Sequence, residues 1–125
     1  MINNKYYDGL EGEPEVVIYF KEKDKEGFRI WIGYFEYLLG ASISGEVKIG
    51  GILESYINQD GWYDESEWRI EELQQAIFEL EQFNIEKIES KEDSIIETVS
   101  NIQKDLVKFL KNALKNSHLV CIDYE

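Results

Sequence analysis

Two runs rich in β-branched and aromatic residues, EVVIYFKE from Glu15 and FRIWIGYFEYL over 28–38, flank a polar KDKEG at 23–27. Such side chains suit the pleated, half-buried surface of a strand. The spacing predicts a hairpin closed by a loop of about three to five residues. The second run is apolar on both faces: Phe28, Ile30, Ile32 and Tyr34 on one, Trp31, Phe35 and Tyr37 beside Arg29 on the other. Side chains alternate across a strand, so both faces of this sheet need cover. Helices can supply one. A loop, a second copy of the chain or a partner must supply the other.

The helices come from the second half. Ile70, Leu73, Ile77, Leu80 and Phe83 recur at helical spacing among Glu71, Glu72, Glu79 and Glu81. A longer stripe, Ile95, Val99, Ile102, Leu106, Phe109, Leu110 and Ala113, predicts a helix over 94–115, with Lys104, Lys108, Lys111 and Lys115 opposite. Before them, SISGEVKIGGILESYIN suggests short strands at 46–49 and 52–57 bent at Gly50 and Gly51. The stretch 52–57 also fits a helical turn. NIEKIES, 84–90, is a short segment between the helices, and HLVCIDYE reads as a strand returning to the sheet. This order predicts a single α+β domain over 1–125: an antiparallel sheet of four to five strands with two amphipathic helices packed mainly on one face.

The densest local signal is GWYDESEW, 61–68. Asp64 followed three positions later by Glu67 has the spacing of a capping box, and Tyr63 with Trp68 has that of a hydrophobic staple. On that reading the first helix begins at Asp64. Trp62 is left over. It either plugs the edge of the core or, with Tyr56 and Tyr63, forms an aromatic anchor ringed by Asp60, Asp64 and Glu65.

Charge narrows the partners. The net charge is −13, with fourteen acids and three bases in residues 51–100 against nine and six in residues 1–50. Phosphate backbones and anionic membrane surfaces both demand Lys and Arg, so neither nucleic acid nor membrane is expected. A basic protein partner suits such a field. The candidate contacts are Asp60, Asp64, Glu65, Glu67, Glu71 and Glu72, with Trp62 as anchor. Solubility alone would account for the total charge, but not for its concentration in the middle of the chain. The start, MINNKYYDGLEGE, has neither a basic nor an apolar segment, and no run approaches the ~20 apolar residues of a membrane span, so a cytoplasmic location is expected. The single Cys121 fits a reducing compartment.

No catalytic motif is visible. His118 lies three residues before Cys121, a spacing that puts the two on opposite faces of a strand. One His and one Cys leave a tetrahedral zinc site half empty. NQDGWYDE offers Asn58, Asp60 and Asp64 to calcium but lacks the alternating ligands and closing glutamate of an EF-hand loop. No phosphate-binding glycine loop occurs. No cofactor, metal or catalytic residue is expected.

The acidic chain, the block GWYDESEWRIEELQQAIFELEQF and the closing KDLVKFLKNALKNSHLVCIDYE together resemble the small immunity proteins of bacterial polymorphic-toxin and contact-dependent growth inhibition systems. The resemblance covers about the last half of the chain and includes no motif that can be matched residue by residue. It implies a non-enzymatic protein that binds and blocks a cognate, basic toxin domain, often a nuclease, in the cytoplasm of the producing cell. Other readings stay open: a phage-type acidic inhibitor or adaptor, and a small carboxylate-dependent hydrolase. Oligomeric state is not readable from these features.

Overall fold

A computed structural model describes residues 1–22 and 26–125. The turn expected at 23–27 therefore lies partly outside the described residues. Five strands, β1 (Ile2–Tyr6), β2 (Glu15–Phe20), β3 (Gly27–Trp31), β4 (Trp68–Arg69) and β5 (Val120–Tyr124), form a sheet in the order β1-β3-β2-β5-β4. Neighbours run antiparallel except β1 and β3, which are parallel. Among the described residues, four α-helices accompany them: α1 (Ile32–Gly40), α2 (Leu53–Asn58), α3 (Leu73–Glu81) and α4 (Asp93–Asn116). The fold is α+β, and no helix among the described residues is long and apolar enough to cross a membrane.

The sheet has one thick side and one thin side. Val16, Ile18 and Phe20 of β2 alternate inward with Ile30, Val120 and Ile122 into the main core. There they meet Phe35, Leu38 and Leu39 of α1 and the stripe Val99, Ile102, Leu106, Leu110 and Ala113 of α4. Phe20 and Phe109 stack at 4.2 Å between centroids, tying α4 to β2. Among the described residues, the hydrophobic side chains buried on the opposite face are Val17, Tyr19 and Cys121, with Ile2 packed against them. Polar groups close over that patch. The Tyr19 hydroxyl donates to Glu67 at 2.9 Å, and Arg29 donates to Glu15 and to the Asn4 side chain at 2.6 and 3.1 Å. The second face thus gets its cover from long amphipathic side chains and the 64–67 loop.

Several expectations need correction. The strand expected over 28–38 ends at Trp31, and Ile32 starts α1, so Phe35 and Tyr37 are helical and Phe35 is fully buried. A continuous apolar run fits both periods. The absence of β-branched residues after Ile32 marks the change. The stretch 52–57 takes the helical alternative as α2, and 46–49 forms no strand, leaving Ile49 76% exposed. The helix expected from Asp64 begins only at Leu73. Trp68 and Arg69 instead pair with Ile122 and Cys121, and Ile70 N–H donates to the Val120 carbonyl. Completing the sheet edge there satisfies backbone groups that a first helical turn would have left without partners.

The edge strand β1 is tied to α4 by its polar residues. Tyr6 donates to Asp105 at 2.5 Å, and Lys5 pairs with the same carboxylate at 2.9 Å. Burial alone would raise the Asp105 carboxyl. The hydrogen bonds from Tyr6 and Lys5, with the charges of Lys5 and Lys108, outweigh it and hold Asp105 below the usual carboxylate value. A carboxyl lowered in the folded chain stabilises it above the unfolded pKa, and that contribution is lost as pH falls through the folded value. Thermal melts at about pH 7 and about pH 3 should therefore show a smaller acid-induced drop in Tm for Asp105→Asn than for the wild type. Equal drops would mean that the tie contributes nothing to acid sensitivity.

Candidate functional site

At the β4 edge, α2, the loop after it and the start of the 68–71 segment enclose a cleft of about 330 Å³. Among the described residues, five carboxylates line it, Glu54, Asp60, Asp64, Glu65 and Glu71, around one cation, Arg69, with Trp68 forming part of the wall. None of these five has an ion pair or side-chain hydrogen bond among the described residues. Four of the seven residues nominated from the sequence, Asp60, Asp64, Glu65 and Glu71, are thus brought together. Glu54 joins them because 52–57 is helical.

The other three nominees lie elsewhere. Trp62 is 1% exposed: it stacks on Tyr63 at 3.9 Å and meets Phe35 and Tyr124 edge-on. It is the core plug and not a surface anchor, and its indole Nε1 finds no acceptor among the described residues. Glu67 reaches the opposite face of the sheet, accepting from Tyr19 and pairing with Lys21. Glu72 is exposed beside Gly50, where its backbone N–H donates to the Gly50 carbonyl at 2.8 Å. Neither half of the expected cap is made. Asp64 closes a 3-10 turn, Gly61–Tyr63, through its backbone N–H to the Gly61 carbonyl, and Tyr63 donates its hydroxyl to Glu36 instead of stapling Trp68.

The walls of the cleft are held by a residue the sequence assigned to the polar side of a helix. Glu79 is 3% exposed. Its Oε1 accepts from the backbone N–H groups of Ile52 and Leu53 at 2.7 and 3.1 Å, and Oε2 accepts from Gln75 at 3.1 Å. A carboxylate from α3 thereby serves the N-terminus of α2, where unpaired N–H groups favour negative charge. Gly51 makes this possible, since a Cβ there would lie 2.3 Å from Glu79 Oε1. At the other end of α2, Gly61 at φ +57° sits over Ser55 and under the Trp68 ring. Only the pair Gly50-Gly51 hinted at this close approach in the sequence.

A second hollow, about 320 Å³, lies beside α1 between Trp31, Glu36, Tyr56, Lys87 and Glu89. Burial, then the bond to Glu36, holds the Tyr63 phenol far above its ordinary value, and burial with Glu36 and Glu89 raises Tyr56. Both phenols are therefore hydrogen-bond donors at neutral pH. The Cys121 thiol is pushed up to about 11, first by burial and then by Glu67, so it stays protonated. His118 packs against Phe20 on the helix side of the sheet, whereas Cys121 lies in the cluster on the other side. Among the described residues no three of His, Cys, Asp and Glu converge to hold a metal ion. What these surfaces can do is recognise charge and hydrogen-bonding groups. No family model, curated protein or solved structure matches the chain.

Two substitutions separate the cap expected from the sequence from the clamp that the fold contains. Asp64→Ala should change stability by no more than about 0.5 kcal/mol, the usual range for an exposed side chain without partners. Glu79→Ala strands two buried amides and should cost about 2–4 kcal/mol. Chemical denaturation of both variants checks this, and the reverse ranking would restore the cap at Asp64.

Proposed function

We propose that the protein is an immunity-type inhibitor acting in the bacterial cytoplasm, binding a basic toxin domain through the acidic cleft at the β4 edge. The observation that carries this reading is the set of five cleft carboxylates left without partners. Gathering like charges on one surface works against folding, and a cationic partner relieves that repulsion on binding. The family resemblance of the chain's second half, from GWYDESEW to the closing helix and strand, supplies the class of partner. Inhibition would follow from covering the toxin's substrate-binding surface. If the toxin is a nuclease, that surface is already built for anions.

With Trp62 in the core, the apolar anchor of such an interface falls to Trp68. This side chain is half-buried, lines the cleft and rests on Gly61. Aromatic side chains at the centre of a charged rim carry much of an interface's energy, whereas rim charges act mainly on encounter.

The test pairs the protein with a toxin domain encoded beside it, assayed by rescue of growth on co-expression and by binding kinetics. Glu65→Lys with Glu71→Lys should slow association about tenfold or more at low salt, with little effect at high salt. Trp68→Ala should chiefly speed dissociation. Failure to rescue growth would sink the immunity reading. Rescue with unchanged rate constants in all these variants, their folds intact by circular dichroism, would remove the cleft from the interface.

A further inference from the structure

At the opposite edge of the sheet the charge reverses. Between β1 and the second half of α4 runs a groove of about 590 Å³, lined by Lys5, Lys108, Lys111 and Lys115 against Asp105, the one carboxylate among the described lining residues. Its floor is apolar: Phe28 and Phe109, both half-buried, meet edge-to-face at 5.6 Å. Asn3, Asn112 and Asn116 supply amides along it. On a chain of net charge −13, four lysines around two phenyl rings are not what solubility requires.

The lysines are available. Lys108 and Lys115 form no ion pair among the described residues. Lys5 and Lys111 pair with Asp105 and Glu81 at 2.9 Å, but both lysine side chains are more than half exposed, and such surface pairs contribute little. β1 is also an edge strand, so its outer backbone groups have no strand partner among the described residues.

We propose that this groove is a second binding surface, and that its occupant is a short acidic peptide segment carrying an apolar side chain. Charge complementarity selects the sign, and the phenyl floor calls for the apolar residue. Length selects a peptide over a polymer. The groove follows α4 from Asp105 to Asn116, about 17 Å at the helical rise, which matches about five extended residues. A nucleic acid long enough to bind firmly would run past the groove onto a strongly acidic chain. A second copy's acidic cleft is excluded by shape, since both surfaces are concave. The groove is separate from the acidic cleft: β1 and β4 are the two edges of the sheet, about 19 Å apart across four strand spacings.

The probe is a blocked fluorescent pentapeptide, Asp-Glu-Phe-Asp-Glu, titrated into the full chain and followed by anisotropy. Saturable binding is expected, weakened about tenfold or more by 0.5 M salt and by replacing the central Phe with Ser. Lys108→Glu with Lys115→Glu, both exposed, should weaken it at least tenfold. Lys48→Glu alters an exposed lysine outside the groove and should change affinity less than twofold. Absence of saturable binding, equal loss in the Lys48 and the groove variants, or indifference to the central Phe would each overturn the proposal. So would tighter binding of a single-stranded oligonucleotide or of phosphatidylserine vesicles. Because no toxin is present in the assay, its result does not depend on the immunity reading.

Discussion

Burial of the α4 stripe is the interaction on which the other elements depend. Val99, Ile102, Leu106, Leu110 and Ala113 lie on one side of the 24-residue α4 and meet α1, α3 and the inner face of the sheet at once. Fully burying a side chain of this kind stabilises the fold by about 1.5–3 kcal/mol. The helical layer is therefore organised around one long element, and the thin outer face is left to Tyr19, Arg29 and Glu67. The same helix then leads into β5, which lies between β2 and β4 and so joins the hairpin to the later part of the chain.

This arrangement sorts charge in space. The apolar stripe of α4 fixes its rotation, so Lys108, Lys111 and Lys115 must face away from the core toward the β1 edge. The acids of 54–71 are placed at the other edge by the pairing of β4 with β5. A chain that is strongly acidic in total thus presents opposite signs at the two edges of one sheet. Fields of this kind orient a charged partner as it approaches, in addition to attracting it.

What could be read from the sequence follows from where local and long-range preferences agree. β2, β5 and α4 have long runs of one period, and the structure places them within a residue or two of expectation. β1 gave no signal, because INNKY is mostly polar and becomes a strand only by pairing with β3. GWYDESEW misled for the opposite reason. Its capping spacing is genuine, but hydrogen bonds from Trp68, Arg69 and Ile70 to β5 override it. The cleft was half legible: the acids cluster in the sequence, yet the helix that adds Glu54 and the turn that buries Trp62 depend on tertiary contacts. Glu79 could not be recognised, since its partners are backbone amides 26 and 27 positions away.

The Glu79 clamp divides the acidic residues into two populations with different evolutionary freedom. Glu79 and Gly51 are interlocked, because any side chain at 51 would occupy the space of the carboxylate. A side chain at 51 therefore requires the loss of Glu79 as well, and the loss of Glu79 alone strands two amides, so drift there should be slow. Glu54, Asp60, Asp64, Glu65 and Glu71 have no such obligations within the fold. They can be exchanged or lost without disturbing the walls that carry them. A lineage could thus retune its recognition chemistry step by step on a frame that hardly changes, and descendants would share a shape while keeping little of their surface sequence.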